Sequence, residues 1–300
     1  MNKAIGTTAA ALLVAGSLLV PGTATAAESA NCVLGVGAVT AGGDHRAQTV
    51  IATAPPTATS YLLARNVYAD GLAKVSSSAG VLDDGYGGVS VHGYVILGDA
   101  LYMTGYHAAN GQIDSTGSTT QRIGGGWGSF VALEEAEFQG PTEAGISRWN
   151  TYGLRNDGTL FRWTVDTKGV WRNRVSAPGF AAVKSMALIS KSKTYDTFLA
   201  NTRGGALYTI HIPTTAPMKP VVKLVRRSTW QGFEAMLAQN CGNGTVLVGI
   251  DKDTQSGYLY AVGRANGLST VIQGLGKIPM TFTDPTYFRW KDPGSPLTGE

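Results

Sequence analysis

Apolar and polar residues alternate along this chain in short runs, separated by clusters of Gly, Asp and Asn. A period of two marks a strand with one buried face, and no helix-spaced apolar stripe stands out after the first 27 residues. The clearest case is "TYGLRNDGTLFRWTV" (151–165), a strand, an Asn-Asp-Gly turn and a second strand. That is the turn chemistry of a β-hairpin. The shape returns, with paired Leu-aromatic positions beginning at Leu101, Leu160, Leu207 and Leu259.

A second marker runs beside the first. Phe130, Phe180, Phe233 and Phe282 each precede a strand-like run, at intervals of 50, 53 and 49 residues, with Tyr86 in "DDGYGGVSV" as a weaker earlier copy. Periods of this size belong to stacked supersecondary units, and four short strands with their turns need about 40–50 residues. The pattern therefore predicts an all-β fold, a β-propeller of five blades with about four strands each, occupying residues 28–300 as a single domain. Four units are visible, and residues 28–86 leave room for the fifth; six blades remain open if strands are exchanged between the ends. A β-sandwich is the competing fold, but it does not predict the recurrence.

The first 27 residues read differently. Lys3, the apolar run at 10–20 and "PGTATAA" form a signal peptide with cleavage after Ala26 or Ala27. The expected product is secreted, because no later apolar run is long enough for a transmembrane segment. Export also permits a disulfide between Cys32 and Cys241, which would pin the first strand near the last blade and help close the ring. The alternative is two separate buried thiols.

A formal net charge of +4 on 300 residues is nearly balanced, which argues against a dedicated nucleic-acid binder. The charge is uneven, however. Residues 168–227 carry eleven Lys/Arg and one acid, Asp196. This is either a solvated surface or an attraction for an anionic polymer such as an acidic or cell-wall glycan.

The corner "IGGGWGSF" (123–130) and the hairpin "YGLRNDGTLFRW" (152–163) together resemble the blade repeat of tachylectin-type lectins, which are five-bladed propellers. The chain also resembles secreted actinobacterial proteins. The tachylectin resemblance covers about residues 90–185 well and the rest in outline. It implies binding of sugars, typically N-acetylated amino sugars, at blade edges. The residues it carries over are Gly126, Trp127 and Phe130, with Asp157 and Gly158 from the hairpin turn. Only the copy at 123–130 keeps the Gly-Gly-Trp-Gly order; "SAPGF", "STWQGF" and "IPMTF" are degenerate, which puts several identical sites in doubt.

Other chemistry finds little footing. "GVGAVT" (35–40) lacks the third glycine of a dinucleotide fingerprint, and "GGGWG" lacks the Lys-Ser/Thr of a phosphate loop. His45, His92, His107 and His211 accompany no Gly-x-Ser-x-Gly elbow and have no zinc spacing, so they read as structural. Asp251 and Asp253 open a calcium-like stretch without its glycine and glutamate, so a hairpin loop is expected, with a loose calcium site as the alternative. Glu134, Glu135, Glu137 and Glu143 cluster, with Glu135 and Glu137 on one strand face. They read as a solvated face or, alternatively, as the channel acids of a propeller glycosidase. Asp99, Asp157 and Asp196 read as turn formers. Trp127, Trp149, Trp163, Trp171, Trp230 and Trp290 recur near strand ends, where a tryptophan either fills a core or offers a sugar a flat apolar face.

The expectation is a secreted, non-enzymatic, monomeric propeller that binds a glycan or cell-wall polysaccharide without metal or cofactor. The alternatives are a glycoside hydrolase with channel carboxylates and a protein-binding or envelope propeller.

Overall fold

The computed structural model describes residues 32–140, 147–291 and 296–300; the expected signal peptide (1–27) and Glu143 lie outside them. The alternating runs become twenty-one strands. Blade 1 contains β1 (Val33–Val39), β2 (His45–Ile51) and β3 (Thr57–Ala64). Blade 2 contains β4 (Ala73–Ser76) and β5 (Ala79–Asp83), which lie in tandem along β6 (Gly88–Leu97), then β7 (Ala100–Ala109) and β8 (Gln112–Gly125). Blade 3 is β9 (Phe130–Phe138), β10 (Arg148–Arg155), β11 (Leu160–Val165) and β12 (Trp171–Ala177). Blade 4 is β13 (Val183–Lys191), β14 (Tyr195–Thr202), β15 (Leu207–Pro213) and β16 (Val221–Arg226). Blade 5 is β17 (Ala235–Cys241), β18 (Gly244–Asp251), β19 (Ser256–Val262) and β20 (Ile272–Lys277). The last strand, β21 (Thr286–Lys291), returns to blade 1 as its innermost strand, antiparallel to β1.

The innermost strands β21, β4, β9, β13 and β17 pack in sequence and close a ring, so the fold is a five-bladed β-propeller. Five separate hydrophobic cores fill the five seams between blades. β21 also pairs in parallel with β5 through Trp290 and Lys291, which fuses blades 1 and 2 into one sheet. At the seam between blades 5 and 1 the Cys32–Cys241 disulfide is formed, with Cα atoms 5.6 Å apart. Ring closure thus rests on both a borrowed strand and a covalent bond.

One position repeats in all five blades. After each outermost strand a single aromatic residue donates its backbone N–H to a carbonyl in the middle hairpin of the blade just left. Tyr68 donates to Gly43, Trp127 to Asp99, Phe180 to Gly158, Trp230 to Gly205 and Phe282 to Gln255, at 2.9–3.1 Å. All but Tyr68 are buried. The sequence marker is corrected accordingly. Phe180 and Phe282 occupy this position, whereas Phe130 and Phe233 stand three residues beyond it, because Trp127 and Trp230 hold the place.

The leucine marker holds in three blades. Leu101, Leu160 and Leu207 each stand two residues after the accepting carbonyl and are buried. In blade 5 that place belongs to Gly257, where a Cβ would fall 2.3 Å from the Phe282 ring, and Leu259 lies one strand period further on. In blade 1 it belongs to His45.

Asp196, expected in a turn, is a second correction. It is fully buried in β14, where it accepts two hydrogen bonds from Arg148 at 2.6 and 2.7 Å and others from Tyr152 and Asn150. A carboxylate deprived of water needs such partners, and these fasten blade 3 to blade 4.

Candidate functional site

The seam between blades 2 and 3 is filled unlike the other four. Its buried apolar members are Tyr94, Ile96, Leu101, Trp127 and Leu133, and the rest of its core consists largely of half-buried aromatic rings. The seam therefore opens outward into a recess of about 510 Å³.

The corner 124–129 forms one wall. Gly126 has φ +79°, a conformation open to glycine and costly for other residues. The Asp99 carboxylate accepts from the N–H groups of Gly126 (3.2 Å) and Gly128 (2.8 Å). A Cβ at Gly128 would fall 2.7 Å from that carboxylate, so the tight turn needs glycine there too. The turn swings Trp127 back under Phe130, with ring centroids 4.4 Å apart.

Blade 3 supplies the opposite wall. Trp163 lies 5.1 Å from Trp127 and 5.3 Å from Trp171, and Phe161 stacks on Trp163 at 5.5 Å with 20° between planes. Offset and edge-on pairs of this kind are favourable beyond the area they bury. Arg155 covers the outer ring, its guanidinium 5.3 Å from the Phe161 centroid.

A bulge shapes the rim. Thr164 pairs with Arg172 and Arg162 with Val175, so Asn173 and Arg174 together stand opposite Trp163. Asn173 takes the left-handed conformation (φ +51°), and its side-chain amide donates to the Thr164 hydroxyl at 3.1 Å. In an unbroken strand alternate residues face opposite ways. With the bulge, four consecutive residues, Trp171 to Arg174, line the recess.

Of the residues carried over from the resemblance, Gly126, Trp127 and Phe130 line this recess, and Asp157 and Gly158 do not. Asp157 is pinned by Arg155 and by the Thr159 N–H, and the Arg155 guanidinium beside it holds its carboxyl well below the usual range. Gly158 (φ +83°) abuts blade 4, where a Cβ would fall 2.1 Å from the Ala181 nitrogen. Of the other lining residues, Arg155, Phe161 and Trp163 lie within the hairpin stretch 152–163 without having been carried over from it, and Trp171, Arg172, Asn173 and Arg174 lie beyond it. Trp163 and Trp171 stood out only as tryptophans near strand ends, Arg172 and Arg174 only as part of the basic stretch 168–227, and Arg155 only as a residue of the quoted hairpin.

The second concentration of chemistry lies in the central channel. All five blades line a cavity there of about 100 Å³, room for about three waters. Glu134 and Glu135 are buried, not on a solvated face. Arg289 lies 3.2 Å from Glu134, and Lys291 reaches Glu135 at 3.2 Å and Glu137 at 2.5 Å. The Ser77 hydroxyl donates to Glu135 at 2.6 Å. Burial pushes the Glu135 carboxyl up to about 7. Burial opposes charge on Lys291 as well, but the glutamates beside it prevail and raise its ammonium above the usual lysine range.

Among the described residues no group of three His, Cys, Asp or Glu could hold a metal ion. The Asp251 carboxylate accepts from the Thr254 N–H at 3.0 Å, as in a hairpin loop. No described helix is long and apolar enough to cross a membrane.

No family model matches the chain, and no curated protein matches it. Several solved structures bear some likeness to it. A mutant of AofleA from Arthrobotrys oligospora is 12% identical, with 88% of this chain and 78% of that one covered and a TM-score of 0.46. The SapL1 lectin in complex with alpha methyl fucoside is 10% identical over 82% and 96%, with a TM-score of 0.41. An Aleuria aurantia lectin mutant in complex with Fucalpha1-6GlcNAc is 14% identical over 83% and 79%, also at 0.41. Likeness at this level identifies neither a family nor a ligand for this chain.

Proposed function

We propose that this protein is a secreted, non-enzymatic, monomeric propeller that binds carbohydrate in the recess between blades 2 and 3. The observation that carries the reading is the half-exposed aromatic wall of Phe130, Phe161, Trp163 and Trp171, set in a concave site with polar groups at its rim. The C–H face of a pyranose is apolar and flat enough to stack on such rings, while its substituents reach polar neighbours. Export accords with the expected signal peptide and with a disulfide, which persists in an oxidising compartment.

The hydrolase reading has less in its favour. Its candidate carboxylates, Glu134, Glu135 and Glu137, are each engaged by Arg289 or Lys291, and the channel cavity that Glu134 lines, about 100 Å³, is too small for a sugar ring.

The test is a glycan array with the mature protein, followed by calorimetry on Trp163→Ala and Trp171→Ala. Binding to at least one glycan, weakened by about tenfold or more in each variant, is expected from the loss of one stacking ring. Absence of binding to every glycan, or full affinity in both variants, would overturn the reading. Mass spectrometry of protein from culture medium checks export, with a mature chain starting near residue 27 or 28 as the expected result.

A further inference from the structure

The polar side chains of the recess are one-sided. Its lining includes the guanidinium groups of Arg155, Arg172 and Arg174 and the amide of Asn173, and no carboxylate. The nearby acids are turned to other work. Asp157 is held by Arg155, Asp166 by Arg172 at 2.8 Å and by the Lys168 and Val170 N–H groups, and Asp99 by the glycine corner. Arg174, exposed on the bulge, has no hydrogen-bond or ion-pair partner among the described residues.

This inventory discriminates between sugars. A guanidinium only donates, and so does an indole N–H. The hydroxyls of a neutral sugar both donate and accept, and this lining offers them few side-chain acceptors. A carboxylate or sulfate only accepts, and it meets a guanidinium fork in a paired, charge-assisted geometry. The bulge matters here, because it brings Arg172 and Arg174 to the same recess as Trp171.

We propose that the recess takes a saccharide bearing an acidic substituent, with Arg174 as the free fork that receives the anion while the sugar ring lies on the aromatic wall. This rests on the recess being a glycan site. The shared chemistry is the anionic group, supplied by a uronic acid or by a sulfate ester, and the assay separates the two.

The experiment measures binding of the mature protein to oligogalacturonate, to its methyl ester, to desulfated and sulfated chondroitin, and to a neutral cello-oligosaccharide at fixed salt. The methyl ester keeps the ring and removes the charge. Expected is binding to oligogalacturonate or to sulfated chondroitin that weakens about tenfold or more when the anion is masked or removed, as for loss of a charged hydrogen bond. Arg174→Gln should lose about as much and Arg174→Lys should recover part of it, while the exposed Lys219→Gln, away from the recess, should bind normally. Preference for oligogalacturonate assigns the carboxylate; preference for the sulfated chain assigns the sulfate. If ester and acid bind equally and desulfation leaves chondroitin binding unchanged, the recess remains a glycan site and the acidic assignment is overturned. If Lys219→Gln loses as much as Arg174→Gln, general surface charge is responsible and the assignment is likewise overturned. If no saccharide binds, both this assignment and the glycan reading are overturned.

Discussion

Lys291, at the end of the closing strand β21, holds its ammonium 3.2 Å from the Glu135 carboxylate on β9, so blade 1 is tied by charge to a blade two places away. Lys291 also serves Glu137, and both Lys291 and Glu135 are buried. Removing one partner of a buried pair strands the other without water. Lys291→Met should therefore cost about 3–5 kcal/mol in equilibrium urea unfolding. Adding Glu135→Gln should return part of the loss, since it removes one stranded charge. A single variant within 1 kcal/mol of the parent, on the order of surface-pair values, would show that the channel charges are solvated.

His45 gives a prediction about pH. It occupies the place of Leu101, Leu160 and Leu207 in other blades and is buried beside Tyr106, whose hydroxyl is 2.7 Å from Nδ1. Burial pulls the imidazole down from 6.5 to about 3. A group lowered in the folded state contributes stability that is fully present above its unfolded value and is lost as pH falls. The loss runs from pH 6.5 toward 3 and totals roughly 5 kcal/mol. Glu135 works in the opposite sense, because its folded value is raised: its contribution is present below 4.5 and is lost as pH rises toward 7. The two partly offset each other, so the clean measurement is a difference. His45→Leu should become steadily more stable relative to the parent as pH falls from 7 to 4, by denaturant midpoint. An unchanged difference across that range would contradict the assignment.

The Cys32–Cys241 bridge spans 209 residues. By the chain-entropy model a loop of that length restricts the unfolded state by about 5 kcal/mol. Cys32→Ser with Cys241→Ser should lower the melting temperature by roughly 10 °C or more. The propeller should still form, as judged by its far-ultraviolet spectrum, because β21 continues to pair with β1.

Gly153 controls the aromatic wall from behind. A Cβ there would fall 2.8 Å from the Phe130 ring and 3.3 Å from Trp163. Gly153→Ala should cost about 1–3 kcal/mol by overpacking. It should also shift both rings, visible as a changed near-ultraviolet spectrum and weaker glycan binding. Parental affinity with a parental spectrum would mean that the wall tolerates the methyl group.

The period of about fifty residues was legible in the sequence because every blade repeats the same run of antiparallel strands around a middle hairpin. The register was less so. The repeated corner position accepts Tyr68, Trp127, Phe180, Trp230 or Phe282, since any large ring fills it, and a reading keyed to phenylalanine alone slipped by three residues at Phe130 and Phe233. Blade 1 escaped because it carries His45 where blades 2, 3 and 4 carry leucine. Asp196 looked like a turn former, since nothing local announces the Arg148 that meets it from another blade. The candidate site was half visible. The glycine corner and Trp127 form one contiguous motif, but the arginines come from two strands and depend on a bulge that interrupts the alternation by which strands are read.

That bulge has a consequence apart from any ligand. β12 is the outermost strand of blade 3, and its free side faces solvent with a row of unpaired backbone groups. A straight, uncharged rim strand invites the same strand of another molecule to add to it, the first step toward sheet-mediated aggregation. In β12 the extra residue breaks the spacing of the donors and acceptors, and Arg172 and Arg174 set like charges against any approaching copy. The irregularity that shapes the rim of the recess is thus also the kind of device by which a sheet edge is made a poor template for another strand.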